Sequence, residues 1–396
     1  MTARSTGAFE ESRRLAGVQT PVIPVISRWI ADTPGTISLG QGLVSYGPPA
    51  AALEAARRFG VSPADHRYGP VEGLPALVQR IEHKLAAENG IRVRPESRVV
   101  VTAGGNLAFM NAVLAIADPG DEVILPTPYY FNHEMAVVIA GARPVPVPTA
   151  SNWQLDLAAI QGAITPRTRA VVTVSPNNPT GAVYPESALR AVNALCREAG
   201  VFHVHDEAYE YFVYDDAAHF SPASLLGAAD HTISLFSLSK AYGMASWRVG
   251  YMVIPESLWH AVNKIQDTLL IAAPSISQAA AAAALGVGRA YATEQLEALD
   301  RRRHAVFDAL NAPGIPCEIP PASGAFYFFL RVPTRLDPLT CCERLIREFG
   351  VAAIPGSAFG DRAGCSLRIS YGALDQPLVE EGVRRLVAGL RILADA

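Results

Sequence analysis

The segment Ala170-Val-Val-Thr-Val174 is followed by a helical stretch, Glu186–Ala199, and then by Phe202-His-Val-His205. Both short runs are bounded by polar or turn-forming residues and read as strands buried on both faces of a sheet. Two such strands with a helix between them make a parallel pair, because a parallel connection needs a crossover of this length. The same alternation continues in both directions. Val99–Thr102 and Glu122–Leu125 lie upstream with the helical stretch Leu107–Ala117 between them, and Thr232–Leu235 and Gly250–Ile254 lie downstream. The expected fold is α/β, with a mostly parallel central sheet covered on both faces.

The C-terminal third reads differently. Tyr291–Leu310 is charged with a helical period, Phe326–Val332 and Ser366–Ser370 read as strands, and Leu339–Glu348 and Pro377–Leu393 read as helices. This is an α+β pattern, expected to form a second, smaller domain. The most apolar helical run, Ser277–Val287 with its alanines Ala279–Ala284, is much shorter than the roughly 20 residues a bilayer needs and reads as a buried helix.

Composition narrows the function classes. The chain has 396 residues, half of them apolar, and a net charge of -4, which opposes a nucleic-acid surface or a polybasic membrane patch. Cys196, Cys317, Cys341, Cys342 and Cys365 are odd in number and form no C-x-x-C pair. They are expected to be small buried hydrophobes rather than a disulfide framework or a metal site, which suits a reducing cytoplasm. Met1–Arg14 is polar and lacks an apolar signal core.

Four segments carry chemistry. Ser237-Leu-Ser-Lys240 follows a strand and is trailed by Arg248 and Gly250. A lysine there can form a Schiff base beside an anion site, because its amine deprotonates when desolvated, or it can simply lie on the surface. The serines and Arg248 can bond a phosphate. Val204-His-Asp206-Glu-Ala-Tyr209 puts a carboxylate at a strand's C-terminal end, where it either faces the crevice or caps the next turn. Ser175-Pro-Asn-Asn178-Pro-Thr-Gly181 is a stiff loop after a strand, able to hold one amide side chain or to act only as a turn. Thr102-Ala-Gly104-Gly105-Asn106 joins a strand to a helix, where glycines let backbone N–H groups approach a phosphate.

The order and spacing of all four, across nearly the whole chain, resemble the class I/II aminotransferases of the fold-type-I pyridoxal 5'-phosphate (PLP) family. The likeness is to the bacterial aspartate, aromatic and kynurenine-type branch. Ser12-Arg-Arg14, Leu39-Gly-Gln-Gly42, Tyr68 with Gly73-Leu, Pro119-Gly-Asp-Glu122, Pro128-Tyr-Tyr130, Ser323-Gly-Ala-Phe-Tyr327, Pro355-Gly356 and Leu367-Arg-Ile-Ser370 agree with it. The resemblance implies a large PLP-binding domain over residues 46–286. A small domain is then built from 1–45 and 287–396. It implies that Lys240 carries PLP as a Schiff base and shuttles the proton, while Asp206 pairs with the ring nitrogen. Asn178 and Tyr209 would bond the ring oxygen, and Tyr130 would stack on the ring. Ser237, Ser239, Arg248 and the Gly104, Gly105 and Asn106 amides would hold the phosphate. Arg368, Gly42 and Asn178 would take the substrate carboxylate. Tyr68 would reach the phosphate of a neighbouring subunit, which implies a homodimer with shared sites. The implied reaction moves the amino group of an L-amino acid to a 2-oxo acid.

Some residues depart from the family pattern. Gly42-Leu-Val-Ser-Tyr46-Gly-Pro-Pro stands where Gly-x-Pro-Asp-Phe is common, Ser246 precedes the phosphate arginine, and Asn106 replaces a frequent lysine, serine or threonine. The first borders the substrate in the family and leaves side-chain specificity open; the other two are mild, since backbone amides can carry the Asn106 contact. His205 can orient Asp206 or be a satisfied core histidine, His133 can line the pocket, and Arg301-Arg302-Arg303 reads as a solvated helix face. Two rival functions share the constellation. A β-lyase, synthase or cyclase can use the same fold. A PLP-sensing transcription regulator would need a basic module ahead of Ser12, and the net charge opposes one.

Overall fold

The computed structural model describes residues 12–394. Seven strands form the main sheet, in the spatial order 97–102, 250–255, 232–237, 202–206, 168–174, 122–127 and 143–148. Gly250–Pro255 runs antiparallel to both its neighbours, and every other pairing is parallel. All six strands expected between residues 99 and 254 are present. The seventh, Arg143–Pro148, has the sequence Arg-Pro-Val-Pro-Val-Pro and was not expected. Its three prolines cannot donate to a ladder, so it is tolerated only at a sheet edge, where it pairs with Glu122–Thr127 alone.

Both faces of the sheet are covered. Val100, Val172, Leu235 and Met252 pack with Ala108, Phe109 and Val113 of the helix Gly105–Ile116. Val99, Val101, Tyr251 and Val253 join the opposite core with Leu77 and Ile81. Neighbouring residues of one strand thus feed different cores, and their side chains are almost fully shielded. This is why the strands read as continuous apolar runs.

Outside residues 97–255, Tyr327–Val332, Cys365–Ser370 and Ile354–Pro355 make an antiparallel three-stranded sheet. Ile37–Ser38 pairs in parallel with Val351–Ala352, tying the N-terminal stretch to the C-terminal part. The expected C-terminal helices appear as Arg289–Leu310, Pro338–Phe349 and Gln376–Leu393, and the alanine-rich run lies in Ser275–Val287. Residues 1–11, which belong to the segment 1–45 assigned to the small domain and hold most of the polar start Met1–Arg14, lie outside the described residues. Cys196, Cys341, Cys342 and Cys365 are buried, Cys317 is half-buried, and all five are free thiols. No helix of the described residues is long and apolar enough to cross a membrane.

Candidate active site

Parallel strands bring their C-terminal ends to one side, and the sequence places polar residues at those ends. Asp206 is the last residue of Phe202–Asp206, Asn178 lies just past Thr168–Val174, and Tyr130 lies just past Glu122–Thr127. Lys240 sits in the single turn Leu238–Ala241 that follows Thr232–Ser237. A crevice at strand ends is where open α/β sheets bind ligands. Here it is a cavity of about 270 Å³. Its lining includes Gly105, Asn106, Tyr130, Asn178, Asp206, Tyr209, Ser237, Ser239, Lys240 and Arg248. Gly42 and Arg368 reach the same cavity from the smaller sheets' side.

Lys240 is not a surface lysine. Burial, reinforced by the charges of Arg368 and Arg248, lowers its pKa to about 8 against the partial opposition of Asp206. Its Nζ donates to the Gly42 carbonyl at 2.5 Å. Asp206 serves both alternatives left open by the sequence. Its Oδ1 accepts from the Ala208 N–H at 3.0 Å, capping the turn, while Oδ2 lies 3.1 Å from His133 Nε2 inside the cavity wall. An ionised carboxylate only accepts, so His133 Nε2 carries the proton in that contact. The His133 ring is held by stacking on Phe109 with centroids 3.9 Å apart.

Arg368 is 2 % exposed. Its Nη1 donates to Asn178 Oδ1 at 2.9 Å, its Nη2 donates to the Gly40 carbonyl at 2.7 Å, and its Nε has no partner among the described residues. The guanidinium is flanked by the rings of Tyr327 and Phe359, 4.6 and 5.0 Å from their centroids. Asn178 Nδ2 in turn donates to the Tyr209 hydroxyl at 3.2 Å, and that hydroxyl is 2.8 Å from the Tyr327 hydroxyl. Burial and the neighbouring Tyr327 hydroxyl keep Tyr209 protonated, well above the ordinary tyrosine range.

At the other end, Gly104 holds φ at +83°, and a Cβ there would meet Arg248 Nη2 at 2.3 Å. Only glycine lets the chain pass so close to the guanidinium. The helix that follows opens toward the cavity with Gly105 and Asn106. Arg248 is fixed by its own turn, with Nη1 donating to the Ala245 carbonyl at 2.9 Å and Nη2 to the Ala103 carbonyl at 3.3 Å. Ser237 Oγ accepts from the Ser239 N–H at 3.2 Å. The Tyr130 hydroxyl accepts from Asn132 Nδ2 at 2.8 Å and is 3.5 Å from Asn106 Oδ1; burial raises its pKa to about 12.

Tyr68, expected to serve a neighbouring subunit rather than its own, is 87 % exposed and borders a cleft outside this cavity with Phe59, His66 and Ser275. His205 is the core histidine of its two readings, bonded to Thr173 Oγ1 at 2.6 Å and kept neutral by burial among other histidines. The Arg301–Arg303 run is not simply a solvated face. Arg303 is 8 % exposed, held by Asp215 and Asp300, and Arg302 bonds Ser45 Oγ at 3.1 Å. A helix that also packs inward buries part of any consecutive run, because three residues cover most of a turn.

Tyr327, Phe359, Gly40 and the helix Val22–Asp32 also border the site and were given no role from sequence. Tyr327 stands in an almost wholly apolar strand, so nothing local marks its hydroxyl. His133 had a detectable signal, lying three residues after Tyr130 at a helix start, which sets the two rings 5.2 Å apart.

The donor set fits a phosphate-bearing aldehyde. It offers a lysine shifted toward its neutral form, a carboxylate across the cavity, and a glycine-lined helix start beside an arginine. Comparisons with known proteins point the same way. Residues 34–386 match the family model "Aminotransferase class I and II". The chain is 35 % identical over 391 residues to an aromatic aminotransferase of Arabidopsis thaliana, covering 96 % of each chain. It is 36 % identical over 360 residues to an aspartate aminotransferase of Pyrococcus abyssi, covering 90 % of this chain and 92 % of that one. A double mutant of Thermus thermophilus aspartate aminotransferase superposes with a TM-score of 0.88 at 33 % identity, over 96 % of this chain and all of the other. With family match, relatives and fold in agreement over nearly its full length, the chain belongs to the class I and II aminotransferases, transferases that work with pyridoxal 5'-phosphate.

Proposed function

We propose that the cavity between Lys240 and Arg368 is the transamination site, with Lys240 as both the anchor for PLP and the group that moves the substrate proton. The observation that carries this is a buried amine with a pKa near 8 in the same cavity as Asp206 and an arginine with free N–H groups. When bound, PLP supplies an electron sink for the pair released as the substrate α-proton leaves. Asp206, oriented by His133 and the Ala208 N–H, would accept from the protonated ring nitrogen. Asn178 and Tyr209 would donate to the ring oxygen, and Tyr130 would stack on the ring. Gly104, Gly105, Asn106, Ser237, Ser239 and Arg248 hold the phosphate. Arg368, Asn178 and Gly42 take the α-carboxylate. With a neutral amine available near physiological pH, Lys240 acts as general base and returns the proton as general acid.

The division into 46–286 and 1–45 with 287–396 is part of the same reading. It is supported by the main sheet lying wholly within residues 97–255 and by the pairing of Ile37–Ser38 with Val351–Ala352. A homodimer is supported by an exposed apolar side chain beside Tyr68, Ile276 at 40 % exposure in the same cleft, and by Val61, 85 % exposed, seven residues earlier in the chain. Tyr68 then serves the partner's phosphate, and the free thiols suit the cytoplasm.

A spectral half-reaction tests the assignment. The absorption band of lysine-bound cofactor should disappear on adding an L-amino acid and return with 2-oxoglutarate, and Lys240→Ala should lack both the band and turnover. Release of ammonia without that return would move the reading to elimination.

A further inference from the structure

Asp206 and Tyr209 reach the cavity from one short turn. The chain leaves its strand at Asp206, the Glu207 N–H donates to the Leu235 carbonyl at 2.8 Å, and the Glu210 N–H closes the turn on the Glu207 carbonyl at 3.0 Å. Residues 208–211 belong to no strand, so no ladder fixes them. Asp206, Ala208 and Tyr209 line the cavity, whereas Glu207 and Glu210 do not. Each of these two carboxylates directly follows a residue with a cofactor contact in the proposed site, and each is tied to a different part of the chain.

Glu207 is fully buried. Its Oε2 accepts from Ser221 Oγ, 14 residues on, and lies 2.9 Å from His219 Nε2. Glu210 is held from the helix Pro75–Glu88, by a lysine 126 residues earlier. Lys84 Nζ donates to Glu210 Oε1 at 2.6 Å and to Oε2 at 2.5 Å, and Asn89 Nδ2 donates to Oε2 at 2.8 Å. Asn89 Oδ1 accepts from Lys84 Nζ at 2.8 Å, and Asn89 Nδ2 also donates to Ser221 Oγ at 2.9 Å, so the two anchors form one network. Lys84 is 4 % exposed, and its three ammonium donors are matched by three acceptors. Burying an ion pair carries a desolvation cost that its attraction need not return, so the pair is a weak source of stability. It is a strong source of geometry, because three bonds from one ammonium admit one placement of Glu210 and so of Tyr209 beside it.

Resting on the transaminase reading of the cavity, we propose that Glu207 and Glu210 are positioning residues for the reaction. Through Ser221 and His219 on one side and Lys84 and Asn89 on the other, they fix the turn that presents Asp206 to the ring nitrogen and Tyr209 to the ring oxygen. A misplacement of about 1 Å at such a contact can lower a rate about 100-fold, so the hold on the turn matters to turnover even though neither carboxylate enters the cavity.

The test compares the holoenzyme with three variants: Lys84→Met combined with Glu210→Gln, Glu207→Leu, and Glu207→Gln. The readouts are kcat and KM, the visible circular dichroism of the bound cofactor, which reports how its ring is seated, and the melting temperature. In the double variant the glutamine carbonyl still accepts from Asn89, and removing both charges together leaves neither stranded, so the melting temperature should stay near that of the unaltered protein. Its kcat should nevertheless fall about 10- to 100-fold, with KM little changed and the dichroism weakened. Glu207→Leu should act likewise, and Glu207→Gln, which keeps an acceptor for Ser221, should restore most of the rate. Unaltered kcat and dichroism in the double variant overturn the positioning role, whether or not its melting temperature falls, and they decide the matter even where Glu207→Leu gives no folded protein. Asp206→Asn is the control. A slowed Asp206→Asn beside a normal double variant faults the positioning alone, whereas normal turnover of Asp206→Asn itself faults the transaminase reading of the cavity.

Discussion

Replacing Arg368 with lysine keeps the charge and removes the fork. A guanidinium has five N–H groups, and in this structure one on Nη1 goes to Asn178 Oδ1 and one on Nη2 to the Gly40 carbonyl. Three remain, including the unpartnered Nε–H, which suffices for a two-pronged grip on a carboxylate. An ammonium has only three N–H groups. If two stay with Gly40 and Asn178, one is left for substrate, so one charge-assisted hydrogen bond is lost. Such a bond contributes about 1.5–3 kcal/mol, so amino-acid affinity should fall roughly 10- to 150-fold. The assay is spectral titration of holoenzyme with an L-amino acid and, as control, with the corresponding amino-acid amide, which lacks the charged carboxylate. Affinity for the acid should drop and that for the amide should change little. Unchanged affinity for the acid, or an equal loss with the amide, would refute the placement of the carboxylate on Arg368.

Two further outcomes follow from the same geometry. Capture of PLP by cofactor-free protein should quicken about tenfold per pH unit up to about 8 and then level off. A lowered lysine pKa means that the neutral, reactive amine accumulates above that value, whereas an ordinary lysine would keep rising toward 10.5; a profile still climbing above pH 9.5 would contradict the buried-amine reading. Gly104→Ala should weaken PLP affinity and lower stability by about 1–3 kcal/mol, since its φ of +83° is glycine territory and the new Cβ would displace Arg248. Thermal melting and PLP titration check both, and wild-type values in each would show that the close approach has no role.

The parts of this fold visible in the amino-acid order were those written in local hydrophobic runs. Ala170–Val174, Thr232–Leu235 and their companions announced themselves because strands shielded on both faces must be apolar almost throughout. Lys240, Asp206, Asn178 and the Gly104–Gly105 turn were legible for a related reason: each follows directly on a strand, so its place at the sheet's C-terminal edge is set by chain connectivity. The edge strand Arg143–Pro148 was not, because its prolines argue against a strand until its place at the sheet margin is known.

Contacts between residues far apart in sequence had no local mark. The Tyr327 hydroxyl meets Tyr209 across a separation of 118 residues, and Arg368 meets Gly40 across 328. The first arises only when the antiparallel small sheet docks beside the main one, and the second only when the N-terminal stretch meets the C-terminal strands. Ile354 and the helix Val22–Asp32 line the cavity together, so that wall is assembled from segments at opposite ends of the chain. Local order thus determined the strands and the chemistry at their ends, whereas the space left for the substrate depended on tertiary packing, because a cavity is the gap between surfaces that no single segment contains.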